Sequence, residues 1–522
     1  MGASSFAVGI DLGTTNSVVA YIEGDDIKFV PDEEGRTLHP SVVAFRSNGG
    51  RLVGLKARLR RLVDPENTIF SAKRLIGQPY DSPRLQAAIQ HLPYKVVPGY
   101  NLEPVIEVRG QEVPVIEISR YVLEHLKATA ETHLGREVTH CVITVPANFN
   151  DGQRNATRAA AERAGFQVLR VLNEPTAAAL AHGLGRGMDC RVAVFDMGGG
   201  TFDVTVLGIR DNLFEVIATG GDPYLGGDDM DQAVSTLLAD GFHKAHGVDL
   251  TENRQAFAKA MIAAEQIKMQ LSQKDVVEGS ISELHYGPGG VPLTLDFHIT
   301  RSQLESAIRP TLNRAMQCVE SVLADARLTP EMLDGILLVG GATRVPLVRQ
   351  LVVKRFGREP AADVSPMMAV AAGAAIQADL LLNPPADAAT APLLMDVTAH
   401  GLGVGTAGGY MDQLIARNTP IPVERSRVFS TSSDYQTDVD IKVCEGEDKR
   451  FEGNHYLGML RLDGLKPAPR GATRIEVTFM LDADGILRVA ARDAITGKSA
   501  NATLRVQGVG LAVVPPDPRP AE

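Results

Sequence analysis

Asp196-Met197-Gly198-Gly199-Gly200-Thr201-Phe202-Asp203 lies between two runs of strand-forming residues, 192–195 and 204–206. The stretch predicts a tight turn between two strands, with a carboxylate at each end and a hydroxyl beside the glycines. Three residues without a Cβ let several backbone N–H groups converge on an anion, and the flanking acids can hold Mg²⁺ through its waters. An ordinary hairpin turn is the alternative, because glycine-rich turns are common for backbone reasons alone.

A second copy of this pattern near the N-terminus weakens that alternative. Residues 6–10 run into Asp11-Leu12-Gly13-Thr14-Thr15-Asn16-Ser17, and a strand-like run follows at 18–20. Two related turns, about 185 positions apart, suggest a duplicated domain whose halves hold one nucleotide from opposite sides, with the phosphates between them. Neither turn has the Lys-Ser/Thr pair that a Walker-type loop requires at the start of a helix.

Length, composition and charge limit the class of protein. The 522 residues are 44% hydrophobic and include 50 glycines, which is enough for several cores and indicates two or three domains. The net charge of -11 argues against a nucleic-acid partner, since phosphate neutralisation needs a basic face. The basic cluster of Lys56, Arg58, Arg60 and Arg61 is interpreted as a solvated helix face.

The cysteines and the apolar runs bear on location. Cys141, Cys190, Cys318 and Cys444 have neither Cys-x-x-Cys spacing nor a nearby histidine at the spacing of a metal site, so we expect buried thiols in a reducing compartment. The first residues lack the pattern of a secretory signal, and the longest apolar run, 367–382, is interrupted by polar residues and glycine. We therefore expect a cytoplasmic protein without a membrane partner.

From Phe6 to Leu382, strand-like runs alternate with helical stretches, as in an α/β domain. Residues 141–146 predict a buried strand, and 151–164 predict a helix with Asp151 as its N-cap. In the stretch Asn173 to Leu180, a proline at 175 fits the first turn of a helix.

Two weaker signals follow in the same region. Glu265, Lys268 and Ser272 share one face of a predicted helix and by themselves are interpreted as solvent-facing. Gly340 and Gly341 follow a strand-like run, and a bare glycine pair says little about a ligand.

The composition changes at residues 383–396, which are rich in proline and alanine and predict an interdomain linker. The linker ends in Leu393-Leu394-Met395-Asp396, which either starts the next strand or docks on a neighbouring domain. Fully burying the three apolar side chains would contribute at most about 4 to 9 kcal/mol. A two-state domain arrangement needs about 5 kcal/mol to shift almost completely.

Residues 397–508 predict an antiparallel β domain of short strands and turns, with its last strand at 502–506. A hairpin turn is predicted at 482–485. Residues 509–522 are proline-rich and predict a disordered tail, and no helical segment is expected after the β domain.

These stretches together resemble the 70-kDa heat-shock (DnaK-like) chaperone family across almost the whole chain. Seven motifs in one order carry the resemblance: residues 9–17, 73–77, 142–147, 173–180, 196–203, 225–227 and 339–344. The resemblance implies an actin-like α/β ATPase domain with duplicated, ribonuclease-H-like halves at 5–382, the linker at 383–396, and an all-β sandwich that binds peptides at 397–508.

The resemblance also implies the roles of the residues around ATP. The catalytic residues would be Lys73, Glu174, Thr201, Asp196 and Asp11, with both aspartates facing the hydrated Mg²⁺ and the first two residues positioning the attacking water. A lysine with Mg²⁺ suits this reaction, because the γ-phosphoryl transition state is stabilised mainly by fixed positive charge and donors. The nucleotide-binding residues would be Gly13, Thr14, Thr15, Gly198, Gly199, Gly200, Thr201, Glu265, Lys268, Ser272, Gly340, Gly341 and Arg344.

By the same resemblance, two further sets of residues couple nucleotide to peptide. Residues that link nucleotide state and a J-domain co-chaperone to the linker would be Pro146, Asp151, Arg154, Arg170, Leu393, Leu394 and Asp396. The groove for an extended peptide would contain Val404, Phe429, Val439 and Ile441, which without the resemblance would be assigned to a sandwich core. The implied partners are unfolded or extended peptide segments, a J-domain co-chaperone and a nucleotide-exchange factor.

Several positions depart from the family pattern. Ala407 and Ser432 replace larger residues over the peptide, Met367-Met368 replaces Asp-Glu, and Ala399-His400 replaces Pro-Leu. The sequence ends after the β domain, so we expect a chaperone without a helical lid and with fast peptide exchange. One alternative is an ATP-switched regulator or nucleotide-exchange scaffold with weak client binding. A sugar kinase is disfavoured because it leaves the β domain unexplained.

Overall fold

A computed structural model describes residues 6–362, 365–386 and 391–503, with side chains described up to residue 500. The predicted tail at 509–522, most of the predicted last strand at 502–506, and residues 387–390 of the predicted linker lie outside the described residues. The part before residue 383 mixes helices and sheets, and the part after 396 is built almost entirely of strands, as the sequence predicts.

The α-helices of the described residues all precede the linker. They are α1 Leu55–Arg58, α2 Pro83–Ile89, α3 Val115–Leu134, α4 Asp151–Arg163, α5 Glu174–Gly183, α6 Gly227–His246, α7 Arg254–Leu271, α8 Arg301–Ala326, α9 Pro346–Phe356 and α10 Ala369–Leu382. Short 3-10 helices lie between them, at Leu59–Leu62, Pro65–Asn67, Ala72–Arg74, Leu250–Glu252, Pro288–Gly290, Pro330–Met332 and Gly341–Arg344, and one at Phe451–Gly453 lies in the β domain.

The strands fall into an N-terminal and a C-terminal group. The first group is β1 Ala7–Asp11, β2 Asn16–Glu23, β3 Asp26–Phe29, β4 His39–Pro40, β5 Val43–Phe45, β6 Arg51–Val53, β7 Thr68–Ile69, β8 Lys95–Pro98, β9 Pro104–Val108, β10 Gln111–Pro114, β11 His140–Val145, β12 Gln167–Asn173, β13 Asp189–Met197, β14 Phe202–Arg210, β15 Leu213–Asp222, β16 Val276–Tyr286, β17 Pro292–Thr300 and β18 Gly335–Val339. The second group is β19 Leu393–Met395, β20 Leu402–Thr406, β21 Tyr410–Ile415, β22 Val423–Phe429, β23 Val439–Glu445, β24 His455–Leu462, β25 Ile475–Leu481, β26 Leu487–Asp493 and β27 Ser499–Thr503.

Two sheets of the N-terminal part share one topology. One has the strand order β12-β11-β1-β2-β3, and the other has β18-β13-β14-β15-β19. In each sheet, three antiparallel strands in sequence are joined by a parallel strand beside the first, β11 in one and β18 in the other. The predicted turns connect β1 to β2 and β13 to β14. This repeated order supports the duplication that the two turns predict.

Helices α5 and α10 pack against each other at the base of the two sheets. Helix α10 contacts β1 and β2, and α5 contacts β13 and β14. A Cβ at Gly373 of α10 would lie 1.8 Å from the carbonyl oxygen of Ala177 in α5, so only glycine permits this approach. Close backbone packing therefore joins the two halves below the cleft.

Helix α4 begins at Asp151, but its N-cap is the residue before the predicted one. The N-cap is Asn150, whose side chain accepts from the Gln153 amide, while the Gln153 side chain accepts from the Asn150 amide. This capping box satisfies two free donors at the helix start. The prediction that Asp151 caps the helix is wrong: its side chain is free to face the β domain. The proline at 175 lies in the first turn of α5, as predicted.

The C-terminal part is a sandwich of two four-stranded antiparallel sheets, β21-β20-β23-β24 and β22-β25-β26-β27. Apolar residues alternate along β25 and β26 and fill the space between the sheets. The predicted hairpin turn at 482–485 joins these two strands, and Gly485 has the positive φ of 74° that such a turn requires.

The apolar end of the linker forms strand β19, which pairs in parallel with β15 of the second sheet. It therefore docks on the N-terminal part and does not start the β sandwich. Leu394 is 8% exposed and packs in a core cluster with Phe214, whereas Leu393 is 59% exposed. The stabilisation therefore lies below the upper bound given for three buried side chains, because Leu394 is the one of the three that is buried.

No helix within the described residues combines the length and the apolar character needed to cross a membrane. The four cysteines are free thiols. Cys141 and Cys444 are buried as predicted, but Cys190 and Cys318 are only half-buried.

Candidate functional site

The two predicted phosphate turns touch across the cleft between the halves. A Cβ at Gly199 would lie 1.9 Å from Oγ1 of Thr15, and a Cβ at Gly200 would lie 2.5 Å from Cγ2 of Thr14. Glycine at both positions is therefore favoured by the close approach of the opposite turn. The structure brings together the turns that the sequence separates widely.

The third glycine turn joins the same site. Gly340 has a φ of 84°, and a Cβ there would lie 2.3 Å from the carbonyl oxygen of Met197, just before the second turn. Only glycine fits this left-handed conformation and close approach without strain. The predicted residues at 340 and 341 therefore lie at the edge of the phosphate turns.

A buried ion pair lies beneath the turns. Lys73 Nζ donates to Glu174 Oε1 over 2.5 Å, and both side chains are almost fully buried. Burial acts to lower the pKa of Lys73, but the charges of Glu174 and Asp11 outweigh it and raise that pKa. The ammonium group is therefore charged at neutral pH and is fixed in place.

Three buried carboxyl groups surround this pair. Burial raises the pKa of Asp11 to about 7, with the charge of Glu174 adding to the shift and that of Lys73 opposing it. Burial also raises the pKa of Asp196 well above its usual value, and Glu174 and Asp203 add to this shift. Such a concentration of acids needs a compensating cation.

Mg²⁺ fits this group of acids. Oδ2 of Asp196 is buried and has no hydrogen-bond partner among the described residues, so it is free to accept from a water of a hydrated ion. The described residues contain no set of three or more His, Cys, Asp or Glu placed to bind a metal directly.

Asp203 flanks the second turn as an acid that the sequence predicts can hold Mg²⁺, but it was not among the predicted catalytic and metal-binding residues. Its side chain accepts from the backbone and side-chain amides of Asn148, at 3.1 and 2.6 Å, and burial raises its pKa to about 7. It lies opposite Asp196 in the β13–β14 hairpin, beside the glycine turn. Its place in the symmetric carboxylate-glycine-carboxylate motif was the available signal.

The predicted adenosine-binding residues on α7 are partly engaged with protein groups. Lys268 is buried, and its Nζ lies 2.8 Å from Oδ1 of Asp231 and 3.0 Å from the carbonyl oxygen of Gly227. Ser272 Oγ donates to the carbonyl of Lys268. The interpretation of this helix face as solvent-facing is therefore wrong at Lys268. Gly341 and Arg344 are exposed at the other edge.

Glu265 forms ion pairs across the cleft between the two halves. Arg58 Nη2 donates to Glu265 Oε1 over 2.7 Å, and Arg61 Nη1 donates to Glu265 Oε2 over 3.4 Å. The Arg61 side chain is only 12% exposed and stacks over the Phe70 ring. Two of the four basic residues interpreted as a solvated face therefore form a bridge between the halves, which we name the Arg58–Glu265 bridge.

A cavity of about 410 Å³ lies beside the phosphate turns. Thr14, Thr15 and Glu265 are part of its wall, whereas Ser272, Gly341 and Arg344 are not. The cavity therefore accounts for only part of the predicted nucleotide site. The contact between the turns, which does not depend on a cavity boundary, locates the phosphate end more directly.

The linker is hydrogen-bonded to the strand that leads to Glu174. Asp396 Oδ1 accepts from Asn173 Nδ2 at 2.8 Å and from Thr176 Oγ1 at 3.0 Å. Asn173 Oδ1 in turn accepts from Arg154 Nη2 at 2.7 Å. Two predicted coupling residues, Asp396 and Arg154, therefore meet at an asparagine that the prediction did not include.

The predicted coupling residues also contact the β domain. Asp151 Oδ1 accepts from the backbone amide of Leu487 at 2.8 Å. Asp484, in the β25–β26 turn, forms an ion pair with Arg158 and lies 3.9 Å from Nε of Arg170. Pro146 is buried at the end of β11, where its carbonyl accepts from the Phe149 amide. Arg158 is a further contact that the sequence prediction missed.

The four predicted groove residues belong to one apolar cluster in the β sandwich. Val404 and Ile441 are buried, and Phe429 and Val439 are partly buried. The first two therefore also serve as core residues, and the second two present apolar surface beside them.

Comparison with known proteins identifies chains with this organisation. A family model described as Hsp70 protein matches residues 7–511. The chain is 47% identical over 500 residues to "Chaperone protein DnaK" from one strain of Thermus thermophilus, in an alignment that covers 96% of this chain and 80% of that protein. It is 46% identical, with the same coverage, to the protein of the same name from a second strain of that organism.

Proposed function

Because this chain belongs to the Hsp70 family and is an ATP-hydrolysing chaperone with the predicted fold class, we propose that its two halves close on Mg·ATP and control peptide binding through β19. The observation that carries this proposal is the contact between Gly199 and Thr15, where the two glycine-containing turns come together. The buried acids and Lys73 lie directly beneath it.

Phosphate binding in this proposal uses the residues of both turns. Backbone amides of 13–15 and 198–201, with the hydroxyls of Thr14, Thr15 and Thr201, would hold the phosphates. The adenosine end would lie between α7 and the third glycine turn, where Lys268, Ser272 and Arg344 supply polar contacts.

Asp11 and Asp196 would hold Mg²⁺ through its waters, and the ion would supply positive charge to the phosphate oxygens. The free Oδ2 of Asp196 supports this assignment. Glu174 keeps the Lys73 ammonium in position, so that this cation and the carboxylate can orient a water in line with the γ-phosphate. Fixed charge, with little reorganisation, then lowers the barrier to hydrolysis.

Coupling to peptide would run from Glu174 to its neighbour Asn173 and from there to Asp396. The hydrogen bonds of Asn173 to Asp396 and Arg154 support this route. When the β domain is docked as described, its turn at 482–485 is held by α4 and β12. Release of these contacts would change the groove formed around Phe429 and Val439, which takes an extended apolar segment.

A J-domain co-chaperone and a nucleotide-exchange factor complete the proposed cycle, and the cytoplasm is its proposed location. The test measures the ATPase rate alone, with an extended apolar peptide, with a J-domain protein and with both. We expect each addition to raise turnover and the two together to raise it most. Unchanged turnover with all additions, in a protein that binds ATP, would contradict the proposed coupling.

A further inference from the structure

Two carboxyl groups from opposite domains face each other where the β domain meets α4. Asp151 lies at the start of α4, and Glu445 lies at the end of β23; they are 5% and 7% exposed. Both line a small cavity of about 30 Å³ between the domains. A pair of like charges in such a place is costly, since burial removes the water that would screen it.

The hydrogen bonds around this pair leave one position open. Asp151 Oδ1 accepts from the Leu487 amide and Oδ2 accepts from the Asn155 side chain. Oε2 of Glu445 is buried and has no hydrogen-bond partner among the described residues. An unpaired, buried carboxylate oxygen is unfavourable, whereas a protonated carboxyl group carries no charge and can donate a hydrogen bond.

The nearest cation does not neutralise the pair. Arg154 donates its hydrogen bonds to neutral oxygens: the backbone carbonyls of Phe149, Ala147 and Asp484 and the side chain of Asn173. Its charge lowers the pKa of both acids, but burial outweighs it, with the charge of Asp482 adding to the rise at Asp151 and that of Asp151 adding to the rise at Glu445. The pKa of Asp151 is raised to about 7 and that of Glu445 to about 8, in each case chiefly by burial.

The other titratable groups at this interface have separate roles. Glu447 follows on the same loop, and Asp482 lies across from Asp151 in the β25–β26 turn; both add negative charge. Asp484 is paired with Arg158 and approaches Arg170. His400 lies in the same cavity wall, and burial lowers its pKa to about 4, so this ring is neutral above pH 7.

We propose that docking of the β domain on the ATPase domain takes up one proton, shared by Asp151 and Glu445, so that the docked state weakens as pH rises. The direction of this pH dependence follows from the raised pKa values of the two carboxyl groups in the docked state. A carboxyl group that binds its proton more tightly in the docked state favours docking below its undocked pKa, and this contribution is lost as pH rises through the docked pKa. Uptake of one proton makes the docked-to-undocked ratio fall about tenfold per pH unit within that range.

The experiment measures the docked fraction by small-angle X-ray scattering of the full chain with Mg²⁺ and a non-hydrolysable ATP analogue, from pH 7.0 to pH 8.5. His400 is neutral throughout this range, so the carboxyl pair dominates the change. We expect the wild-type docked-to-undocked ratio to fall about fivefold between pH 7 and pH 8 and then to level off. Glu445→Gln keeps the shape of the side chain and removes its charge, so its docked fraction should be higher than that of the wild type and should change less with pH.

Glu424→Gln is the matched control, because Glu424 is exposed on β22, away from the interface. It should follow the wild-type curve, and circular dichroism should show that both variants are folded. A wild-type docked fraction that does not change with pH, or a Glu445→Gln curve that matches the wild type, would overturn the inference. If scattering shows undocked domains at every pH, both this inference and the proposed coupling are contradicted. If the domains are docked to the same extent at every pH, only this inference is contradicted.

Discussion

Asn173 Nδ2 donates a hydrogen bond to Asp396 Oδ1 over 2.8 Å, and the next residue after Asn173 is the glutamate that holds Lys73. A linker carboxylate is thus connected, through the adjacent residues Asn173 and Glu174, to the ammonium group at the phosphate site. Because all of these groups are buried, a shift of either end changes the hydrogen bonding of the other. This short route gives the proposed link between nucleotide and linker a physical basis.

Removing the linker carboxylate should uncouple the two activities. Asp396→Ala leaves the Asn173 amide and the Thr176 hydroxyl without an acceptor, at a cost of about 1 to 3 kcal/mol per unsatisfied group. We expect ATP to release bound peptide at least about tenfold more slowly than in the wild type. Asp240→Ala, an exposed position on α6, should release peptide normally. Rapid ATP-driven release from Asp396→Ala would contradict the route.

Loss of either catalytic donor should reduce hydrolysis more than binding. Lys73→Ala and Thr201→Ala each remove a group proposed to act on the γ-phosphate, and we expect single-turnover hydrolysis to fall about 10²- to 10³-fold. Lys56→Ala removes an exposed lysine that pairs with Glu33, so it is the control. Rates within twofold of the wild type for either site variant would remove these residues from the catalytic role.

A methyl group between the phosphate turns should prevent their closure. Gly199→Ala would place Cβ 1.9 Å from Thr15 Oγ1, so the turn or the Thr15 side chain must move from its place in the contact. We expect the affinity for Mg·ATP, measured by titration calorimetry, to fall at least about tenfold, which corresponds to about 1.4 kcal/mol. Gly208→Ala is a matched control on the same hairpin, because a Cβ there meets no atom within 4 Å. Equal affinities of the two variants would mean that the contact is not needed for binding.

Opening the Arg58–Glu265 bridge should speed nucleotide release. Arg58→Ala removes a half-buried ion pair between the two halves, with a contribution of about 1 kcal/mol, so we expect dissociation of a fluorescent ADP to be about fivefold faster. Arg60→Ala tests the specificity, because Arg60 lies in the 3-10 helix directly after α1 and approaches Asp64, not Glu265. If both variants release nucleotide at the same rate, the bridge does not hold the cleft closed.

The sequence predicted most of the fold from patterns that depend on local chemistry. The repeated Asp-x-Gly turns indicated a duplication that is supported by two sheets of the same strand order. The proline at 175 and the turn at 482–485 were correctly placed because proline and glycine restrict the backbone wherever they occur. The family prediction is confirmed by the match over residues 7–511.

Long-range contacts were harder to predict. Nothing local distinguishes Arg58 and Arg61, which meet Glu265 some two hundred residues away, from ordinary surface arginines. Asn173 was part of a recognised motif, but its bond to Asp396 exists only after the linker docks. Asp151 was assigned as a helix cap because aspartate is a good N-cap residue. Asn150, directly before it, is an equally good cap, and composition alone does not distinguish the two.

The structure of the chain crystallised with Mg²⁺ and a non-hydrolysable ATP analogue tests the central claim most directly. We predict the triphosphate between Gly198–Gly200 and Thr14–Thr15, with the hydrated ion facing Asp11 and Asp196 and with Lys73 beside the γ-phosphate. A triphosphate bound elsewhere, or turns that hold no phosphate between them, would contradict the account.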